Sequence, residues 1–238
     1  MERFLNKITC GDCYELIKQL PDNSIDLIVT YPPYELTTDG SNSYVGQQIK
    51  AIKAELDKIA NGIDLSILKE FMRIMKTPNI YIWCNKKQIP DYLNFFVKEH
   101  DCSFEIMTWI KTNPLPLCGG NYLIDKEFCL YFRKGVKLNT TFETASTYWQ
   151  TPLNQKDKAQ FLHPTCKPLS IIKTLIGNST KQGDIVLDCF MGSGTTAVSC
   201  QETGRQFVGF EIEEKWCKIA NERLEKCDAN GQTSLFYR

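Results

Sequence analysis

The sequence predicts an α/β fold with a seven-stranded, mostly parallel sheet, helices on both faces and one antiparallel edge strand. Short apolar segments alternate with amphipathic helical patterns along most of the chain, which is typical of parallel strands joined by helices. Two segments, Ile25–Thr30 and Asp184–Cys189, carry β-branched runs short enough for buried strands. Phe104–Ile110 and Phe128–Phe132 follow one another without a helix between them, so they predict an antiparallel pair at one edge.

The other elements follow from the same patterns. The remaining predicted strands are Lys7–Cys10, Asn79–Cys84 and Gln206–Ile212. An apolar stripe at helical spacing predicts a helix after Asp64, and a second stripe starts at Trp216. Pro168 suits the first turn of a helix whose apolar face begins at Ile171. We interpret all three stripes as core packing.

Composition limits the function classes. With 238 residues, 42% hydrophobic and 24% charged, the chain is a globular protein of one domain and not a disordered one. Lysine plus arginine equals aspartate plus glutamate at 28 each, so there is no overall attraction to nucleic acid, although a local basic face is compatible with this balance. No apolar run approaches the roughly 18 residues of a membrane span, and we expect a cytoplasmic protein with no membrane partner.

Cysteine is abundant, with eleven residues, but an odd number in a reducing setting does not predict a disulfide framework. One Cys-x-x-Cys occurs, at Cys10–Cys13, and nothing elsewhere pairs with it at zinc spacing. The chain has two histidines, His100 and His163. The sequence therefore predicts free thiols and no metal site.

Two stretches interrupt the alternation of strands and helices within the single predicted domain, residues 1–238. Residues 35–63 form an insert, in which a polar flap at Glu35–Gly46 leads into an apolar stripe at Val45–Ile63. That stripe fits packing on the body of the protein and packing on a second subunit equally well, so a homodimer is one expectation. Residues 136–162 have no clear period, and we interpret them as a target-recognition region.

A glycine-rich turn, D-C-F-M-G-S-G-T-T, is predicted between a strand and a helix at Asp188–Thr196. Its glycines let backbone N–H groups and a helix N-terminus approach a ligand closely. Glu211 closes the next strand 23 residues after Asp188, where a carboxylate is able to accept hydrogen bonds from ribose hydroxyls. A glycine-rich turn of this kind, taken alone, is as often a purely structural turn as it is a nucleotide-binding site. Together with Glu211 it predicts a nucleoside-type cofactor.

A second motif, Tyr31-Pro32-Pro33-Tyr34, follows another predicted inner strand. The two prolines hold the chain extended, so that their carbonyl groups project outward. The aromatic ring after them offers a face on which a base can stack. Taken alone, the motif is equally explained as a rigid surface turn.

Two further motifs carry charge. Lys167 stands in His163–Pro168, immediately before a helix, where a cation is unfavourable unless an anion lies nearby, so a ligand carboxylate is a reasonable partner. Asp12 follows the first strand and precedes a helix. Its side chain has two interpretations that the sequence leaves open, a helix cap or an acceptor for the exocyclic amine of a bound base.

These motifs together resemble the amino-group DNA methyltransferases, the N6-adenine/N4-cytosine family. The segment Ile8–Tyr34 is similar to that family's opening, His163–Pro168 to its H-P-T-x-K-P block, Asp188–Thr196 to its cofactor loop and Trp109–Pro114 to its W-x-K-x-x-P segment. The catalytic block precedes the cofactor loop, which is the circularly permuted order of the β class. A cytosine-C5 enzyme is excluded because that chemistry needs a cysteine after proline, and no Pro-Cys occurs.

The resemblance implies a Rossmann-like methyltransferase fold, S-adenosyl-L-methionine as cofactor and double-stranded DNA as partner. It implies that Glu211 holds the ribose hydroxyls, Asp12 the adenine amine and Lys167 the methionine carboxylate. It implies a cofactor lining made of Asp188, Phe190, Gly192, Ser193, Gly194 and Thr195. The target base would be flipped out of the duplex, with Tyr34 stacking on it and the Pro32 carbonyl accepting an amine hydrogen.

One position departs from the family pattern. The family carries Asp, Asn or Ser at the first catalytic position, and this chain carries Tyr31, whose phenol oxygen is a weaker acceptor and whose ring takes up space. Three hypotheses follow. The first is a DNA amino-methyltransferase, with adenine N6 favoured; the second is an impaired or inactive homologue that binds DNA and S-adenosylmethionine. The third is an RNA or protein methyltransferase, which the order of the motifs disfavours.

Overall fold

A computed structural model describes residues 1–33, 62–114, 122–153 and 166–230, with side chains described up to residue 227. Its centre is an eight-stranded sheet in the order β1-β8-β7-β2-β3-β5-β4-β6. The strands are β1 (Lys7–Cys10), β2 (Leu27–Thr30), β3 (Asn79–Cys84), β4 (Ser103–Lys111), β5 (Lys126–Arg133), β6 (Tyr148–Thr151), β7 (Ile185–Asp188) and β8 (Gln206–Glu211).

All seven predicted strands form, and the α/β class with helices on both faces is confirmed. Two details of the predicted sheet are corrected. An eighth strand, β6, pairs in parallel with β4 and covers its carboxyl half. Among the described strands the antiparallel one is β5, and it lies inside the sheet and not at its edge, because β4 pairs on its outer side. The sequence does not reveal β6 because its four residues alternate between half-buried and exposed positions and lack an apolar run.

In the described part of the chain, six helices pack against the sheet: α1 (Cys13–Leu16), α2 (Ile67–Ile74), α3 (Ile89–Leu93), α4 (Leu169–Ser179), α5 (Thr195–Glu202) and α6 (Glu214–Asn230). Short turns of other helical types, Ile17–Gln19 and Asn94–Glu99, extend α1 and α3.

Strand alternation divides the core into two layers. Along β3, Ile80 and Ile82 pack with α1, α2 and α3, whereas Tyr81 and Trp83 face the cluster that contains α4, α5 and α6. This period of two is what a sheet covered on both faces requires. All six residues of β3 are buried, so this strand is central to the fold.

The predictions for the insert and the recognition region fall partly outside the described residues. Tyr34, the insert up to residue 61, residues 154–162 and His163, Pro164 and Thr165 all lie outside them. Of the region 136–162, the described part contains β6. Among the described residues, no helix combines the length and the apolar character that crossing a membrane would need.

Candidate active site

The predicted motifs meet at one end of the sheet, where the parallel strands β1, β8, β7 and β2 all have their carboxyl ends. The ladders pair Cys10 with Glu211 and Asp188 with Gly209. The Gly11 N–H continues the first ladder by donating to the Glu211 carbonyl over 2.8 Å. Parallel α/β sheets bind ligands at this end, in the crevice beyond the strand ends.

The buried carboxylate of Asp188 connects the glycine loop to the neighbouring strand β2. Asp188 is 1% exposed, and its carboxylate accepts hydrogen bonds from the Phe190 N–H (3.0 Å), the Thr196 hydroxyl (2.7 Å) and the Thr30 hydroxyl (3.2 Å). Burial raises the pKa of Asp188 to about 7, against the lowering effect of these donors. Because Thr30 ends β2, Asp188 connects the glycine loop Asp188–Thr196 directly to the strand that precedes the Tyr31–Pro33 segment.

Glycine is required in the loop after β7. Gly192 and Gly194 have φ angles of 53° and 83°, in the left-handed region that other residues seldom adopt. A Cβ on Gly194 would also lie 3.0 Å from the Cβ of Ala220 in α6, so this glycine permits close packing of α6 against the start of α5.

The side chains of Ser193 and Thr195 turn into the protein, where they are 3% and 6% exposed. Arg223 of α6, itself buried, donates to the Ser193 carbonyl (3.2 Å) and to the Thr195 hydroxyl (3.1 Å). Cys166 lies 3.5 Å from the Ser193 hydroxyl. Sequence reasoning missed Arg223, because a charged residue on a long amphipathic helix resembles a solvent-facing one.

Glu211 faces the same loop from β8. Its two carboxylate oxygens accept hydrogen bonds from the Gly192 N–H (2.7 Å) and the Glu213 N–H (3.0 Å). Burial raises its pKa, and the backbone donors oppose that shift. The Ile212 N–H is a third backbone donor to this carboxylate, whose two oxygens carry four lone pairs, so Glu211 retains acceptor capacity for a hydroxyl of a ligand such as a ribose. The position of this acceptor beside the glycine loop therefore fits a nucleoside cofactor.

The sequence also assigned Asp12, at the start of α1, and Phe190, within the glycine loop, to the site. Asp12 is exposed and caps α1, since its Oδ1 accepts the Tyr14 N–H at 2.9 Å. Of the two interpretations of Asp12, the helix cap is therefore present, and it leaves the amine-acceptor interpretation open because Oδ2 is a further acceptor. Phe190 is half-buried and packs against the core on the side of α1 to α3.

Tyr31 follows β2 and stacks on Trp83 of β3, with ring centroids 5.3 Å apart and an interplanar angle of 19°. The Lys167 ammonium lies 5.1 Å from the centre of the Tyr31 ring and 5.4 Å from that of Trp83. Pro32 is buried, and the Pro33 carbonyl accepts a hydrogen bond from Gln88 at 3.0 Å. The Lys167 ammonium therefore lies beside both rings of the Tyr31–Trp83 stack.

Lys167 binds a carboxylate within the protein. Its ammonium lies 2.5 Å from Glu127 Oε2, and the Lys111 ammonium lies 2.7 Å from Glu127 Oε1. Burial raises the pKa of Glu127, but the two ammonium groups outweigh burial and hold it at about 2. Lys111 belongs to the W-x-K-x-x-P segment, so this ion triad joins two of the predicted motifs through a residue that neither contains.

Sequence reasoning also missed Glu127. The one signal for it is an acidic residue directly before the apolar run Phe128–Phe132 of β5. Among the described residues, no cluster of three or more His, Cys, Asp or Glu side chains has the arrangement of a metal site.

Residues 25–222 match the model of a DNA methylase family, described by its N6 and N4 methyltransferase activities. The chain is 31% identical over 237 residues to the type II methyltransferase M2.LlaDCHI of Lactococcus lactis subsp. cremoris, an alignment that covers 91% of this chain and 88% of that protein. It is also 31% identical over 255 residues to the type II methyltransferase M.HinfI of Haemophilus influenzae, covering 95% and 70% of the two chains.

Two solved structures share the fold. The complex of M1.HpyAVI with SAM superposes with a TM-score of 0.66 at 26% identity and covers 91% of this chain and 98% of that one. The cytosine-N4-specific PvuII DNA methyltransferase superposes with a TM-score of 0.69 at 19% identity, covering 91% and 85%. The second likeness concerns the fold alone.

Proposed function

The chain belongs to the DNA methylase family of N6 and N4 methyltransferases, and on that basis we propose that it transfers a methyl group from S-adenosyl-L-methionine to the exocyclic amine of a base flipped out of double-stranded DNA. We take adenine N6 as the target amine, with cytosine N4 as the alternative. Site-specific modification is the function its type II relatives support.

One observation carries the proposal. The Tyr31–Pro33 segment and the glycine loop, 160 residues apart in the chain, leave adjacent parallel strands β2 and β7, and the Thr30–Asp188 hydrogen bond joins them. A base bound at the first segment therefore lies beside a cofactor bound at the second. Such placement of two reactants lowers the barrier mainly through alignment.

The cofactor, when bound, supplies an electrophilic methyl group on a sulfonium. In this proposal Glu211 accepts hydrogen bonds from the ribose hydroxyls, Asp12 accepts one from the adenine amine, and the N–H groups of the glycine loop line the cavity. Phe190, Gly192, Ser193, Gly194 and Thr195 shape that lining, and Asp188 braces it from inside. Their roles rest on the family resemblance and on the hydrogen-bond capacity that the structure leaves at Glu211.

On the base side, Tyr34 provides the stacking face and the Pro32 carbonyl accepts one amine hydrogen. The amine nitrogen forms a bond to the methyl carbon as the sulfur–carbon bond breaks, and the amine then loses a proton to solvent. Lys167 was expected to bind the methionine carboxylate. In this proposal it keeps that role while it also pairs with Glu127 and lies over the Tyr31 ring.

A second candidate function is favoured by Tyr31 itself. Its ring stacks on Trp83 beside Lys167 and takes up space there, and its phenol is a poor acceptor for the target amine. A chain of this kind would bind cofactor and DNA without transferring methyl groups efficiently. RNA and protein remain disfavoured as substrates by the order of the motifs.

The test measures transfer of tritiated methyl groups from S-adenosylmethionine to unmethylated genomic DNA, followed by chromatography of the nucleosides. Transfer by the unsubstituted chain supports the enzyme, and the labelled nucleoside distinguishes adenine from cytosine. Transfer by Tyr31→Asp alone supports the binding homologue. If calorimetry detects no S-adenosylmethionine binding to either chain, both candidate functions are wrong.

A further inference from the structure

Two exposed lysines stand on a tight turn beside the catalytic segment. The turn, Asn85–Gln88, joins β3 to α3 at the same end of the sheet as the cofactor loop. The Asn85 side-chain oxygen accepts the N–H groups of Lys87 (3.0 Å) and Gln88 (3.3 Å), which closes the turn and directs Lys86 and Lys87 outward.

The turn is fixed against the catalytic segment by Gln88, which is 5% exposed. Its amide oxygen accepts the Asn85 N–H at 3.1 Å, and its amide nitrogen donates to the Pro33 carbonyl at 3.0 Å. Both ends of the buried amide are therefore used, one within the turn and one on the catalytic segment. The two lysines are consequently held at a set distance from the residues that receive the base.

A third lysine extends the same surface. Lys126 is exposed at the start of β5, two residues before Phe128, which pairs with Cys84 at the end of β3. Because side chains two apart on a strand share a face, Lys126 lies on the α3 side of the sheet with Phe128.

The charges of this surface are not balanced locally. Among the described residues, Lys86, Lys87 and Lys126 make no ion pair, and Asp91, the nearest acidic residue after the turn, pairs with none of them. Lys111 and Lys167, in contrast, are both bound to Glu127. Within the same described residues Asp125, which directly precedes Lys126, also forms no ion pair with the first three lysines, so in a chain of zero net charge three exposed, unpaired lysines beside the Tyr31–Pro33 segment form a local basic face.

On the premise that the chain acts on DNA, the function proposed for it, we propose that Lys86, Lys87 and Lys126 form a surface that binds the phosphodiester backbone beside the flipped base. Extracting a base from the stack requires the backbone around it to be held, and lysines bind phosphates as point charges. The Gln88–Pro33 hydrogen bond keeps this phosphate contact in register with the catalytic segment.

The test measures the affinity of the full chain for a fluorescein-labelled duplex of about 24 base pairs, roughly two helical turns, by anisotropy between about 50 and 200 mM salt. The test variant is Lys86→Ala/Lys87→Ala/Lys126→Ala. The control is Lys98→Ala/Lys181→Ala, which removes two exposed lysines that precede β4 and β7, toward the amino-terminal ends of these parallel strands. Thermal unfolding of each variant verifies that it is folded.

Each lost phosphate contact makes the slope of log affinity against log salt shallower by about 0.9. We expect the triple variant to bind roughly ten-fold or more weakly with a slope shallower by about 2 to 3, and the control to bind as the unsubstituted chain does. Equal losses in triple variant and control, or an unchanged slope in the triple variant, would overturn the surface and leave the proposed function standing. Absence of DNA binding by the unsubstituted chain would overturn both.

Discussion

On the cofactor side of the site, formed by the ends of β1, β7 and β8, the carboxylates of Asp188 and Glu211 accept hydrogen bonds mainly from backbone N–H groups and a neighbouring hydroxyl. On the base side, formed by the ends of β2, β3 and β5, the charged groups of Glu127, Lys111 and Lys167 bind one another. The cofactor side is thus built largely from local backbone geometry, and the base side from pairs of side chains on separate strands.

This difference has an energetic consequence. A carboxylate that is held by backbone donors keeps its partners when a nearby side chain changes, because the backbone is part of the fold. A buried ion triad loses its balance when one member is removed, since the remaining charges stay desolvated. We therefore expect substitutions on the base side to have larger effects than those on the cofactor side.

The largest expected effect follows Tyr31→Asp. A carboxylate there would give the target amine a strong acceptor and free the space that the ring occupies beside Trp83 and Lys167, so methyl transfer to DNA is expected to rise by roughly 10²–10³-fold. Initial rates at saturating cofactor measure it. Tyr31→Phe, which keeps the ring and lacks the hydroxyl, is the control and should show no gain. Equal rates for the Asp variant and the unsubstituted chain would mean that position 31 does not limit the chemistry.

The next effect follows Glu127→Gln. Two buried ammonium groups would then share a neutral amide, and we expect the free energy of unfolding at pH 7 to fall by about 3 kcal/mol in a denaturant titration. Because the pKa of folded Glu127 is held at about 2, below the ordinary value of 4.5, its stabilisation is complete above 4.5 and is lost as pH falls through 2.

The difference in free energy of unfolding between the unsubstituted chain and the Glu127→Gln variant should therefore become smaller as the pH falls below 4.5. If this difference in free energy of unfolding stays constant down to pH 2, the charge of Glu127 is not what stabilises the unsubstituted chain. In the Tyr31→Asp background the same substitution should cost less, because Asp at position 31 would give Lys167 a second carboxylate.

A smaller effect is expected for Gly194→Ala on the cofactor side. The left-handed φ of 83° and the 3.0 Å approach of the new Cβ to Ala220 should together lower the free energy of unfolding by about 2 kcal/mol. Gly177→Ala in α4 is the matched control, since no atom of a neighbouring element lies within 4 Å of the position that its added methyl group would take, and it should raise stability by about 0.5 kcal/mol. If both variants melt alike, the loop tolerates a side chain.

The smallest effect is expected for Glu211→Gln. An amide accepts through one atom only, so we expect calorimetry to give roughly ten-fold weaker S-adenosylmethionine binding with little change in unfolding temperature. Glu213→Gln, an exposed neighbour, should bind the cofactor as the unsubstituted chain does. An unchanged dissociation constant for Glu211→Gln would remove this residue from the cofactor site.

Much of the fold was predictable because its signals are local. Short apolar runs predicted seven strands, and Lys7–Cys10 and Asn79–Cys84 end at the predicted residues. The glycine loop was predictable for the same reason, since Gly192 and Gly194 each adopt a backbone angle that favours glycine. β6 was not, because a four-residue strand of alternating exposure forms only when the edge of β4 is present to pair with it.

Residue type and short spacing were enough to predict seven of the eight described strands and the motifs at the strand ends, and the resemblance carried by those motifs indicated the family. Which charges meet was settled by three-dimensional packing. Lys167 pairs with Glu127 across 40 residues, Arg223 reaches Ser193 across 30 and Gln88 reaches Pro33 across 55. Such contacts have no sequence period, because they arise when strands and helices that are distant in the chain are packed side by side.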